Sequence, residues 1–167
     1  MGLMRISALY SRTIIALVWA LLLGGSSGAC GADPPRAGAS RYPWTQAQTV
    51  DAAAFAREIA AARGPDRPLV AYTGPPFLYG VGRIPGAVML GVAASPAGVR
   101  ALQAWAEPLP RTSNIVVYCG CCPLDDCPNL IPAFSRLRDM GFTRVRVLIL
   151  PRSFGADWAS PGYPVER

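Results

Sequence analysis

The sequence predicts an α/β domain in three layers, a mainly parallel central sheet with helices on both faces. Two observations carry this reading. Short apolar, β-branched runs alternate along the chain with segments of helical periodicity, and strand–helix alternation implies right-handed crossovers between parallel strands. The chain has 167 residues, 51% of them hydrophobic and 16% charged, which suits one domain with a single core and excludes wholesale disorder.

The elements follow in order. Asp51 can cap a helix in which Ala54, Phe55, Ile59 and Ala62 recur at three- and four-residue spacing before Gly64-Pro65 stops it. Leu69 to Tyr72 and Ala87 to Leu90 read as buried strands, and the Pro and Gly residues between 74 and 86 read as turns. Ser95-Pro96 opens a helix through Val99, Leu102 and Trp105 that ends before Pro108. Ile115 to Tyr118 is the clearest strand, uncharged as a central strand covered on both sides should be. Pro132 to Met140 is expected to be helical, with Ala133, Phe134 and Leu137 on one face and Gly141 as its stop. Val145 to Leu150 returns as a strand, and Phe154 to Trp158 forms a last short helical turn, with both aromatics in the core.

The N-terminus reads as an address. Arg5 and Arg12 precede the apolar run Ile14 to Leu23, which is followed by small residues up to Ala29. This is the layout of an export signal over residues 1–29. Ser27-Gly28-Ala29-Cys30 is similar to a bacterial lipoprotein processing site, with Cys30 as the lipidated residue. Cleavage near Ala29 or Ala32 and an uncleaved anchor are the alternatives. Each puts the domain outside the cytoplasm, in the periplasm or held at a membrane. Residues 30–44, rich in Pro, Gly and Ser, are expected to be a flexible tether, and 45–167 the folded domain.

Composition narrows the chemistry. His is absent, which removes imidazole acid–base catalysis, Ser–His triads and His-based zinc sites. All basic residues are Arg and the formal charge is +6, but no Arg run is dense enough to track phosphates, so nucleic acid is not expected as a partner. Of the five Cys, Cys119, Cys121, Cys122 and Cys127 fall within nine positions. Cys119 directly follows the central strand, at the carboxyl edge where ligands of parallel sheets bind. Backbone N–H groups of a loop entering a helix can stabilise an anion, so the loop containing Gly120, Cys121, Cys122, Asp125, Asp126 and Cys127 is expected to hold a Cys119 thiolate or persulfide.

Four segments in order resemble the rhodanese-like domain. They are Gly82 to Ala87; Ile115 to Cys119; Leu137 with Met140 to Val145; and Trp158 with Gly162 to Glu166. The resemblance covers roughly residues 45–167 and implies that Cys119 is the nucleophile that accepts a sulfane sulfur and passes it to a thiol. The loop departs from the pattern: it is longer and has no Arg or Lys, and Asp125 and Asp126 stand where a cation is expected. Ala71-Tyr72-Thr73 replaces the usual acidic position and Arg83 the common His. Like charge opposes a dianionic donor, so thiosulfate:cyanide activity is not expected. Arg83 and Arg152 read as solvated, with supply of the absent cation as the alternative.

The expected function is therefore thiol-dependent sulfur transfer, or dithiol/disulfide redox chemistry, at Cys119. Its partners would be a small sulfane-sulfur or thiol/disulfide donor and an acceptor. Cys121, Cys122 and Cys127 are candidate resolving or disulfide residues. Two alternatives stay open: a non-catalytic binding module with structural disulfides, and soft-metal binding, copper or zinc, through the Cys cluster. No cofactor and no metal ligand is assigned.

Overall fold

The computed structural model describes residues 40–167. The assigned leader, Cys30 and most of the tether lie outside them. A five-stranded sheet has the order β1-β5-β4-β2-β3, and every neighbouring pair is parallel. The strands are β1 (Thr49–Asp51), β2 (Leu69–Tyr72), β3 (Ala87–Met89), β4 (Asn114–Tyr118) and β5 (Arg144–Ile149). The helices are α1 (Ala52–Ala61), α2 (Pro76–Val81), α3 (Pro96–Ala106) and α4 (Leu130–Asp139), followed by a π turn, Gly155–Ala159. Among the described residues, no helix is long and apolar enough to cross a membrane.

Alternation along β4 divides the core into two layers. Ile115 and Val117 pack with Leu102 and Ala106 of α3 and Ala133, Phe134 and Leu137 of α4. Val116 and Tyr118 point the other way, toward Phe55 and Ile59 of α1 and Trp158. Period-two strand geometry thus produces the three-layer arrangement. The caps act as expected: Asp51 Oδ1 accepts from Ala54 N at 2.7 Å, and Ser95 Oγ accepts from Gly98 N at 3.1 Å.

Four features differ from the sequence reading. The helix α4 starts at Leu130, two residues before Pro132, because the first turn of a helix tolerates a proline whose N–H would be unpaired in any case. The Pro/Gly segment after β2 contains α2, with Pro76 at its first position and Phe77 and Val81 71% and 72% exposed. The edge strand β1 is only three residues long, too short to leave a pattern. The tether expected to reach residue 44 ends earlier. Trp44 is buried against Phe134, Tyr42 stacks on Trp44, and Arg41 pairs with Asp125. Burial of the Trp44 ring offsets the entropy of ordering these residues.

At the other end of the sheet, Arg146 of β5 donates to both Glu58 oxygens at 2.9 and 2.6 Å, and to Asn114 Oδ1 at 2.9 Å. The Arg146 guanidinium holds the Glu58 carboxyl below the usual carboxylate range, against the opposing pull of partial burial. A folded value below the unfolded one means the ion pair contributes fully above the ordinary carboxylate range, and the contribution is lost as pH falls through the folded value. Urea unfolding across that acid range should therefore show stability falling as pH drops, and Glu58→Gln should flatten that slope and cost roughly 1–3 kcal/mol at neutral pH. An unchanged slope would mean the pair contributes nothing.

Candidate functional site

The strand order reverses between β2 and β4, the switch point at which parallel sheets bind ligands. Thr73 closes the gap below it: its N–H and its hydroxyl both donate to Tyr118 O, at 2.9 and 3.2 Å. Cys119 leaves β4 here on the face shared with α3 and α4. Gly120 then turns the chain with φ 70° and lies so close to Phe154 that a Cβ would sit 2.7 Å from the Phe154 Cβ. That turn folds Cys121 back over Cys119. The loop then passes through the turn Leu124–Asp126 and brings Cys127 under the start of α4.

The result is a sulfur cluster. Cys119 Sγ lies 3.0 Å from Cys121 Sγ, Cys121 Sγ lies 3.3 Å from Cys122 Sγ, and the Cys119, Cys121 and Cys127 sulfurs are all within 4.8 Å of one another. All four thiols are free; Cys119 and Cys127 are buried, Cys121 and Cys122 partly exposed. Above Cys119 and Cys121 is a cavity of about 460 Å³, walled by Tyr72, Val81, Phe154 and Arg167 among others. Cys119, only 1% exposed, is its floor.

The charge does not fall where the sequence places it. The Cys119 thiol is pushed up by the neighbouring Cys127 sulfur first, then by burial and by Cys121. Burial and Cys121 push Cys122 up to about 12. Cys127 is pulled down to about 6 by the Cys119 thiol and by the Asn129 and Leu130 N–H groups, against the effect of burial. The reason is geometric: the unpaired amides at the start of α4 lie beside Cys127, whereas Cys119 receives only the Cys121 N–H. The resting thiolate is thus Cys127, and Cys119 is its protonated neighbour.

Other expected members of the anion-binding loop are committed elsewhere. The N–H groups of Asp126 and Cys127 donate within the turn, to Pro123 O and Leu124 O at 3.0 and 3.2 Å. The Asp125 carboxylate faces outward to Tyr42 and Arg41, and Asp126 is exposed. Arg83 is not solvated but pairs with Glu166 beneath the Tyr79 ring. Arg152, exposed, pairs with Asp157 at 2.9 Å. Neither lines the cavity; among the described residues Arg167 is its one charged wall.

Sequence reading missed Asn129. Its side chain caps nothing on its own helix and is buried. Oδ1 accepts from Ala94 N at 3.0 Å and Nδ2 donates to Cys119 Sγ at 3.4 Å. The available signal was an Asn in an N-cap position directly after the Cys-rich loop. Tyr72, Phe154 and Arg167 were not identifiable as cavity walls, because they come from distant parts of the chain.

No family model matches the chain, and no curated protein does. Solved structures do. The solution structure of the rhodanese-like domain of the Alr3790 protein from Anabaena sp. is 21% identical and superposes with a TM-score of 0.52, over 71% of this chain and 78% of that one. A crystal structure of the Alr3790 protein from Anabaena sp. is 20% identical with a TM-score of 0.53, over 70% and 81%. The chain has the rhodanese-like fold.

Proposed function

We propose that this domain transfers sulfane sulfur through a persulfide on Cys119 and resolves it internally with a neighbouring cysteine. The observation that carries the reading is the 3.0 Å approach of the Cys119 and Cys121 sulfurs on the floor of an open cavity. In the first step the Cys119 sulfur attacks the outer sulfur of a persulfide donor R–S–SH; the donor S–S bond breaks, RS⁻ leaves, and Cys119–S–SH forms. Cys127, the resting thiolate, accepts the Cys119 proton as attack proceeds. An acceptor thiolate can then take the outer sulfur and regenerate Cys119. Alternatively the Cys121 thiolate attacks Cys119 Sγ, giving the Cys119–Cys121 disulfide and HS⁻. Sulfane sulfur is reduced in that branch and the two cysteines are oxidised.

The apolar cavity walls and the single Arg167 guanidinium favour a small monoanionic donor over a thiosulfate dianion. In this reading the leader carries the domain out of the cytoplasm, with Cys30 as its lipid anchor.

Mass spectrometry after anaerobic incubation with polysulfide tests the scheme. Cys121→Ser should accumulate an adduct of about 32 Da on Cys119. The unsubstituted chain should instead release hydrogen sulfide and lose about 2 Da as it forms the disulfide. Thiosulfate should give little adduct. An adduct that persists in Cys119→Ser, or a chain that polysulfide leaves unmodified, would falsify the proposal.

A further inference from the structure

We infer that the reduced chain binds one monovalent copper ion through Cys119, Cys121 and Cys127, a property beyond sulfur transfer and independent of it. The three sulfurs already lie within 4.8 Å of one another. An ion held in a trigonal plane at a metal–sulfur distance of about 2.3 Å sets its ligands about 4 Å apart. Reaching that arrangement requires Cys119 and Cys121, now 3.0 Å apart, to open by about 1 Å. Cys121 is partly exposed at the cavity wall and can turn, while buried Cys119 and Cys127 stay in place.

The donor set selects the ion. Soft thiolates favour copper(I) and zinc over hard cations, and structural zinc takes four ligands in a closed tetrahedron. Here the mutually adjacent set has three members, all sulfur. Cys122 touches Cys121 but is not among them. The chain has no His, and the nearby Asp125 and Asp126 carboxylates are exposed on the outside of the loop. Three-coordination without nitrogen or oxygen suits copper(I). The surroundings support it further. Asn129, anchored by Ala94 N, donates to the Cys119 sulfur and orients it, as second-layer groups do at metal centres. The start of α4 at Leu130 offsets the negative charge of the trithiolate. The cavity gives an approach path to Cys119 and Cys121.

The test is anaerobic titration of the reduced full chain with copper(I) against a competing chelator, with X-ray absorption on the loaded protein. One ion per chain with three sulfur neighbours at about 2.3 Å is expected. Cys127→Ser and Cys121→Ser should each weaken binding by more than the roughly 10–100-fold that losing a supporting contact costs, while Cys30→Ser and Cys122→Ser should keep one ion. If Cys127→Ser does not fold, the more exposed Cys121 position decides. Failure to compete for copper, a two-sulfur site indifferent to Cys121→Ser, or tighter retention of zinc than copper each overturns the inference. The titration reads coordination alone, so its result separates cleanly from that of the polysulfide experiment.

Discussion

Replacing Trp158 by alanine is expected to lower stability by about 3–5 kcal/mol, a fall in melting temperature on the order of 10–20 °C. The indole is fully buried in the α1-side layer. Its ring lies 6.0 Å from Phe55, 6.5 Å from Phe154 and 5.3 Å from Tyr163, centre to centre, and Nε1 donates to Pro164 O at 2.8 Å. Deletion removes apolar burial, leaves a cavity among aromatic rings that cannot easily collapse, and orphans a carbonyl. Trp158→Phe should recover part of the loss but not the hydrogen bond. Thermal unfolding followed by circular dichroism checks both variants, and a shift of only a few degrees in Trp158→Ala would show that this layer is not the anchor assigned here.

Gly120→Ala should be damaging for a different reason and should affect the chemistry as well as the fold. A φ of 70° is a left-handed backbone conformation that costs an L-residue roughly 1–2 kcal/mol. The added Cβ would also press on Phe154, 2.7 Å from its Cβ and 3.0 Å from its backbone nitrogen. That nitrogen donates to Gly120 O at 2.9 Å, so the two segments cannot separate without losing the bond. Overpacking adds roughly 1–3 kcal/mol, for a total of about 2–5 kcal/mol. Since this turn folds Cys121 over Cys119, the rate of disulfide formation between them should fall along with stability. Polysulfide treatment of Gly120→Ala should therefore give slower hydrogen sulfide release than the unsubstituted chain. A variant of normal stability and normal release rate would show that the turn does not set the sulfur–sulfur approach.

Both variants probe contacts between residues far apart in the chain, and this is where sequence reasoning loses reach. The α1 and α3 caps were readable because a cap is a local bond: Asp51 reaches Ala54, and Ser95 reaches Gly98. The helix α2 was not, because Pro76 and Gly80 carry turn signals and its apolar residues Phe77 and Val81 face outward. The position of Cys119 at a sheet edge was readable from the strand that precedes it. Asn129 as a bridge between the α3 loop and Cys119 was not, since its partner Ala94 is 35 residues away.

By itself the sequence determined the three-layer parallel architecture, the strand that delivers a cysteine to the carboxyl edge, and the absence of imidazole from any chemistry there. Periodicity, capping and composition are local or global properties of the string and need no coordinates. Only the tertiary structure decided which sulfur carries the charge, which thiols touch, and which side chains wall the cavity. Those outcomes depend on where a loop closes in space: the amides that open α4 lie beside Cys127 and not Cys119, and no spacing rule along the chain encodes that choice.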